Sequence, residues 1–416
     1  MKRISKASGE LNRARGRCAV FGLYATMALA LPAQAFTTLH NFISAGGAYP
    51  GAGLVEATNG DLYGATGYGG ANGNYGTIFK ISPAGAFTTL YSFCSHAACA
   101  DGQDPSGALV QGANGDLYGT TSQGGATGLG TVFKITLDGQ LTTLHNFCSP
   151  YSLLCADGAK PAAGLIQATN GDFYGTTRSG GAHGHGTIFQ ITPSGELAPV
   201  YPFCSLTNCA DGGGPAAGLV QAANGDFYGT TAVGGTGNDG GTVFKITPGG
   251  SLTMLYSFCS QGASCPDGLS PHAGLVEAAD GDFYGTTFEG GAHSGGTVFR
   301  ITPSGTLSTI YSFCSLSRCM DGGNPEAGLI QAANGAFYGT AMNSGVHGGG
   351  NVFQITPRGQ LTTIYSFCSQ AQCTDGRFPH AGVVQAANGA LYGTTMNGGA
   401  GGAGCSQGCG TVFSLY

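Results

Sequence analysis

Tryptophan is absent from the 416 residues, and charge is scarce: Asp, Glu, Lys and Arg together make up 9% of the chain. Scarce Glu, Lys and Arg removes the residues that most readily fill exposed helix positions, which argues against a helical protein. After Leu31 no apolar run approaches the roughly 20 residues of a membrane-spanning helix. Disorder is excluded in another way: 42% of the residues are hydrophobic, too many for a chain that stays unfolded, even with 78 glycines. Those glycines do not recur at every third position, so a collagen helix is excluded too.

The N-terminus departs from this composition. Lys2, Arg3, Lys6, Arg13, Arg15 and Arg17 precede the short apolar run Ala19–Leu31, and Ala33-Gln34-Ala35 has the small-x-small form of a cleavage site. This pattern predicts a secretory signal peptide over residues 1–35, hence a secreted, periplasmic or cell-surface chain starting near Phe36. That chain keeps nine Lys/Arg and 20 Asp/Glu, a net charge of −11. Its sign is wrong for holding nucleic acid.

What the chain has in abundance is repetition. "NGDFYGTT" or a near-copy occurs seven times, with tyrosines at Tyr63, Tyr118, Tyr174, Tyr228, Tyr284, Tyr338 and Tyr392, spaced by 54 to 56 residues. A fixed period of this size marks an array of supersecondary units. Each unit holds four short β-like segments; in the third they are Ala163–Ala168, Asp172–Thr177, Gly186–Thr192 and Leu197–Phe203. The Asn-Gly between the first two predicts a two-residue type I′ hairpin. "TPSG" between the last two is a Pro-Gly turn. Seven four-stranded meanders predict an all-β, seven-bladed β-propeller with antiparallel blades. Pro199 and Pro202 place the fourth segment at the outer edge, where a missing N–H is tolerated. The mature chain opens on a fourth segment, Phe36–Phe42, and closes on a third, Gly410–Tyr416, so the two are expected to pair and shut the ring. The mid-strand glycines, Gly175 and its equivalents, are expected to admit a neighbouring blade closely, and the adjacent tyrosines to be core with their hydroxyls satisfied locally. An outer-membrane barrel is excluded by strand length: six or seven residues fall short of the about 9–11 needed.

The stretch "GDFYGTTxxGGxxxxGTVFKITPxGxLTTLYSF" resembles the GloVer tandem repeat of secreted bacterial proteins, over nearly all of residues 36–416. The resemblance implies export and brings no catalytic residues with it.

Fourteen cysteines follow the leader, and they pair by proximity: Cys94 with Cys99, Cys148 with Cys155, Cys204 with Cys209, Cys259 with Cys265, Cys314 with Cys319, Cys368 with Cys373 and Cys405 with Cys409. An even number in an exported chain implies disulfides. Six would staple loops between blades, and the last a loop inside the final blade. In a meander these loops share one face with the Gly-Gly loops, while the other face carries only tight turns. Variable loops mark the likelier binding surface.

Two rings of residues are candidates for binding. Asp101, Asp157, Asp211, Asp267, Asp321 and Asp375 each follow a cystine loop and precede Gly, a position suited to Asp-Gly turns or to a cationic partner. Glu56, Gln111, Gln167, Gln221, Glu277, Gln331 and Gln385 sit one per inner strand, where they either satisfy backbone groups or line an axial pocket for a polar ligand such as a sugar. The histidines His183, His185, His293, His347, His272 and His380 are too scattered to promise three or four convergent metal ligands, so neither metal nor cofactor is expected. No nucleophile elbow, P-loop, dinucleotide fingerprint or zinc-protease helix is present. The reading favoured is an exported, monomeric, non-catalytic propeller that binds an extracellular carbohydrate, peptide or protein through its cystine-loop face. The alternatives are a polysaccharide lyase or hydrolase with its active site in the axial pocket, and a purely structural surface protein.

Overall fold

A computed structural model describes residues 35–148, 155–236, 238–262, 264–401 and 404–416. The proposed signal peptide lies outside them. Seven four-stranded antiparallel sheets form a ring. In the third blade, Ile166–Gln167 is innermost, followed outward by Phe173–Thr177, Thr187–Ile191 and Leu197–Pro202. The prolines do lie on the outer strand, which bulges between the residues facing Ile188 and Phe189. Phe36–Asn41 pairs antiparallel with Thr411–Leu415, from Phe36 opposite Leu415 to Asn41 opposite Thr411. The first strand of the described chain therefore completes the last blade.

The apolar residues form seven separate clusters, one at each interface between blades. Between the second and third blades, Tyr118, Val132 and Phe147 of one pack on Leu165, Phe173, Phe189 and Ile191 of the other. Tyr118 stacks on Phe173 with centroids 4.0 Å apart, and Phe147 meets Phe189 edge-on at 5.2 Å. Adjacent residues of one strand thus serve opposite faces, Phe173 towards the second blade and Tyr174 towards the fourth, where it packs on Phe227. This is why the strands carry no polar side. The tyrosine hydroxyls are satisfied within their own turn: Asn170 Nδ2 donates to Tyr174 at 3.3 Å and Asn59 Nδ2 to Tyr63 at 2.9 Å.

Three local expectations need correction. The turn at Asn-Gly is not type I′, because Asn170 keeps a negative φ and only Gly171 turns positive, at 89°. The Gly171 N–H bonds the Ala168 carbonyl and the Ala168 N–H bonds that of Asp172, a three-residue loop whose asparagine Oδ1 accepts the Asp172 N–H. Second, no neighbouring backbone crowds the mid-strand glycine. A Cβ on Gly175 would meet Leu165 and Phe189 of its own blade, both at 2.6 Å. Third, the inner strands have two paired residues rather than six. Upstream of them the chain leaves the ladder: the Ala217 carbonyl is taken by Thr176 Oγ1 of the preceding blade at 2.9 Å. There the blades converge on the axis, and the close approach of backbone requires glycine. A methyl on Gly328 would stand 3.0 Å from the Gly274 carbonyl oxygen, and one on Gly164 only 2.6 Å from that of Ala108.

Candidate functional site

All seven expected disulfides are formed. Cys94 is bonded to Cys99, Cys148 to Cys155, Cys204 to Cys209 and Cys259 to Cys265. Cys314 is bonded to Cys319, Cys368 to Cys373 and Cys405 to Cys409. Their role is structural: each closes a loop of a few residues at the rim, and none offers a free thiol to a ligand. In the first six bonds both cysteines sit at positive φ, from 45° at Cys155 to 64° at Cys314. Bonds in this number belong to an oxidising compartment. Among the described residues no helix is long and apolar enough to cross a membrane.

The aspartate ring is fixed beneath the cystine loops. Asp321 is 1% exposed and its Oδ2 accepts from the Tyr311 hydroxyl at 2.8 Å and from the N–H and hydroxyl of Ser315 at 2.9 Å. Its Oδ1 takes the Leu316 N–H at 3.2 Å. Asp101, Asp211 and Asp375 repeat this pattern with Tyr91, Tyr201 and Tyr365. Burial, with the carboxylate beside each phenol, pushes Tyr91, Tyr201, Tyr311 and Tyr365 up to about 12. Asp267 bonds Tyr256 at 2.9 Å, while Asp157 receives His145 Nε2 at 2.9 Å and the Cys148 N–H at 3.1 Å.

The inner-strand ring lies near the turn face and staples blade to blade. Gln167 Oε1 accepts the Ala113 N–H of the preceding blade at 2.8 Å, and its Nε2 donates to its own Gly171 carbonyl at 2.9 Å. Gln111, Gln221 and Gln331 accept in the same way from Thr58, Thr169 and Ala279. Glu56 Oε2 does so for Ala387, across the interface where the ring closes, at 2.8 Å. Gln385 Nε2 bonds the Gly389 carbonyl at 3.2 Å, and Glu277 lies close enough to Tyr228 to help raise its pKa, after burial and alongside Asp226.

None of these thirteen residues lines the cavity of about 870 Å³ at the axial mouth on the cystine-loop face. Three registers of the repeat supply its ionisable side chains. One is the residue after the proline that enters each inner strand: Gly51, Ser106, Ala162, Ala216, His272, Glu326 and His380. Four copies are small, and three consecutive blades carry ionisable groups. His272 Nδ1 is 3.1 Å from Glu326 Oε1, and His380 Nε2 lies 3.7 Å from the same oxygen. His380 Nδ1 meets the Gly51 carbonyl at 3.3 Å, a contact in which the imidazole must donate. The His272 ring is stacked 5.0 Å from Phe288. Burial alone would raise the Glu326 pKa, but the His272 hydrogen bond and the charges of His272, His380 and Arg178 outweigh it and hold the carboxyl below its ordinary value.

The other two registers supply the residue just before that proline, left-handed in every blade, and the residue after the second strand. In the third blade these are Lys160, at φ 55°, and Arg178. Backbone bonds seat both: the Lys160 N–H to Leu129 of the preceding blade at 2.8 Å and the Arg178 N–H to Lys160 at 3.2 Å. In the second blade the same positions hold Asp104 and Ser122, joined at 2.6 Å. Both cationic side chains are exposed, and among the described residues neither has an ion-pair partner. By contrast, Lys80, Lys245 and Arg300 at the turn face pair with Asp61, Asp226 and Asp282.

Among the described residues the only convergence of three metal-type donors is His185 with Cys204 and Cys209, and that cysteine pair is a disulfide. Within its own blade Glu326 carries no signal in the sequence, and His272 and His380 look like incidental loop histidines there. Aligning the copies on the proline would have exposed them, since only that alignment puts His, Glu and His in one register.

The Gloeobacter/Verrucomicrobia repeat model matches residues 95–269 and 260–416. The chain belongs to this repeat family. No curated protein matches it. Among solved structures, virginiamycin B lyase from Staphylococcus aureus shares 14% identity at a TM-score of 0.57, over 92% of this Gloeobacter/Verrucomicrobia repeat chain and 99% of the lyase. The extracellular domain of a hybrid two-component system from B. thetaiotaomicron shares 10% at a TM-score of 0.58, over 91% of this chain and 39% of that one. Identities this low speak for a common fold and nothing more.

Proposed function

We propose that the protein is an exported, monomeric propeller that binds an acidic extracellular ligand, such as a carboxylated saccharide, at the axial mouth of its cystine-loop face. The observation that carries this reading is the pair Lys160 and Arg178. The chain beyond the leader has only nine cations against 20 carboxylates, yet two of the nine face one cavity with no acid at ion-pair distance, since Asp104 of that wall is bonded by Ser122 and Glu326 by His272. An unpaired guanidinium on a backbone-anchored position is suited to a carboxylate. Cystine loops braced by buried aspartates hold the rim still, which lowers the ordering cost of binding. The inner-strand amides support it differently, by keeping the blades in register, and the ligand need not touch them.

The test is titration of the chain with neutral and acidic oligosaccharides and peptides. Acidic ligands are expected to bind, more weakly as salt is raised. Lys160→Ala combined with Arg178→Ala should weaken binding at least about tenfold, the loss of roughly 1.4 kcal/mol. Equal affinity of the double variant would overturn the reading.

A further inference from the structure

We propose that His272, Glu326 and His380 make the axial mouth a site of β-elimination on uronate saccharides. The inference rests on the reading of this mouth as an acidic-ligand site and adds chemistry to it.

The three residues come from three successive blades and occupy the same register of the repeat, where the other four blades carry Gly, Ser or Ala. The Glu326 carboxylate turns one oxygen to both imidazoles, and its environment keeps it ionised. An ionised carboxylate can only accept, so His272 donates from Nδ1. In the neutral ring its Nε2 carries the lone pair, and among the described residues that nitrogen has no partner. A base oriented by a carboxylate on one nitrogen and free on the other is the arrangement proton abstraction requires. His380 is the complement. Its Nδ1 donates a hydrogen bond to the Gly51 carbonyl, so its Nε2 is attracted to Glu326 only when that nitrogen is protonated too. One imidazole is thus set to take a proton and the other to give one.

The substrate class follows from the wall. Lys160 and Arg178 supply charge for a carboxylate, and neutralising that group makes the hydrogen on the adjacent carbon easier to remove. Ser106, Ser122 and Gln123 offer the same cavity hydroxyl and amide partners for sugar hydroxyls. A uronate has the carboxylate, the hydrogen next to it, and an alkoxy group one carbon further on. His272 Nε2 takes that hydrogen as a proton. The C–H electron pair becomes the new C=C bond while the β C–O bond breaks, and the departing oxygen keeps its pair and receives a proton from His380. His272 and His380 then return to their starting states by exchange with water, so no oxidant, reductant or added water is consumed. His272 and His380 act as the catalytic base and acid, and Glu326 is a positioning residue.

The experiment incubates the exported chain with oligomers of polygalacturonate, alginate and chondroitin. Ultraviolet absorbance reads the new double bond, and mass shows whether water has been added. The expected products carry an unsaturated end and no added water. His272→Gln keeps a donor towards Glu326 and should cut the rate at least about 100-fold while leaving affinity within about threefold. Glu326→Gln should lower the rate less and move the acidic limb of the pH–rate profile, which a merely structural role would not do; an unchanged profile overturns its positioning role. Thermal melting checks that both variants fold. Oligomers that bind but stay intact overturn elimination and leave the binding reading standing. Products that contain added water overturn elimination in favour of hydrolysis. If none of the three is bound or cleaved, elimination on uronates falls, and the binding reading is decided by the wider titration of acidic saccharides and peptides.

Discussion

Blades five to seven and blades one to four share their strands, their turns and their interface clusters, yet they differ at the mouth. After the entering proline the first four carry Gly51, Ser106, Ala162 and Ala216, and the last three His272, Glu326 and His380. Nothing in the scaffold calls for this. The backbone there is held by the preceding blade in the same way on both halves: Thr176 bonds the Ala217 carbonyl and Thr286 that of Ala327. The comparison teaches that the repeat keeps constant what closes the ring and leaves free the few side chains that see the axis. Chemistry is therefore to be sought where copies of the repeat disagree.

The severest way to break the comparison is to remove what all blades share. Deleting residues 36–42 strips the outer strand from Thr411–Leu415 and takes away Phe42, which is fully buried between the last and first blades. One buried phenylalanine alone accounts for about 3–5 kcal/mol, and a whole ladder goes with it. Loss of a cooperative thermal transition is expected, on both halves of the ring at once. A milder break acts at the axis. Gly164→Ala would put a methyl 2.6 Å from the Ala108 carbonyl oxygen, backbone that cannot swing aside. It should cost about 1–3 kcal/mol, as overpacking does, read as a lower denaturant midpoint with an unchanged slope. If Gly164→Ala melts like the parent, close approach at the axis is not what fixes glycine there.

The architecture was legible because each of its causes is local and recurs. The spacing of Tyr63 to Tyr392 sets the number of blades, the prolines of Leu197–Pro202 mark the rim, and the segments Phe36–Phe42 and Gly410–Tyr416 are the missing fourth and third strands of one sheet. The cystine pairing was legible for the same reason, since partners such as Cys314 and Cys319 lie within one loop. The turn type was misread because Asn-Gly serves two hairpin geometries, and the choice depends on whether Asn170 or only Gly171 crosses to positive φ. The cavity was hidden for a different reason. His272, Glu326 and His380 are 54 residues apart in succession, and only the packing of successive blades around the axis brings both imidazoles to one Glu326 oxygen. The aspartates and inner-strand amides, in contrast, drew attention by recurring, which is the mark of the scaffold.

A second departure between copies sharpens the same lesson at smaller scale. His40 and His145 occupy one register of the outer strand, in "FTTLHNF" and "LTTLHNF". His145 Nε2 meets Asp157 at 2.9 Å, under a cystine loop. His40 belongs to the closing blade, whose following segment has neither cystine nor aspartate. It stacks 3.7 Å from Phe87 and packs edge-on to Phe42, and burial lowers its pKa to about 4. The unfolded chain titrates this group near its ordinary value, about 6.5. Between those values the unfolded state binds the extra proton, so acidification favours unfolding, and this contribution to stability is lost as pH falls from about 6.5 to about 4. The effect should be smaller than that of Gly164→Ala, because the ring retains some solvent contact. His40→Phe keeps the stacking and should flatten the fall of melting temperature over that range. A variant with the parent's slope would place the acid sensitivity elsewhere and leave the closing blade chemically no different from the six whose strands are contiguous.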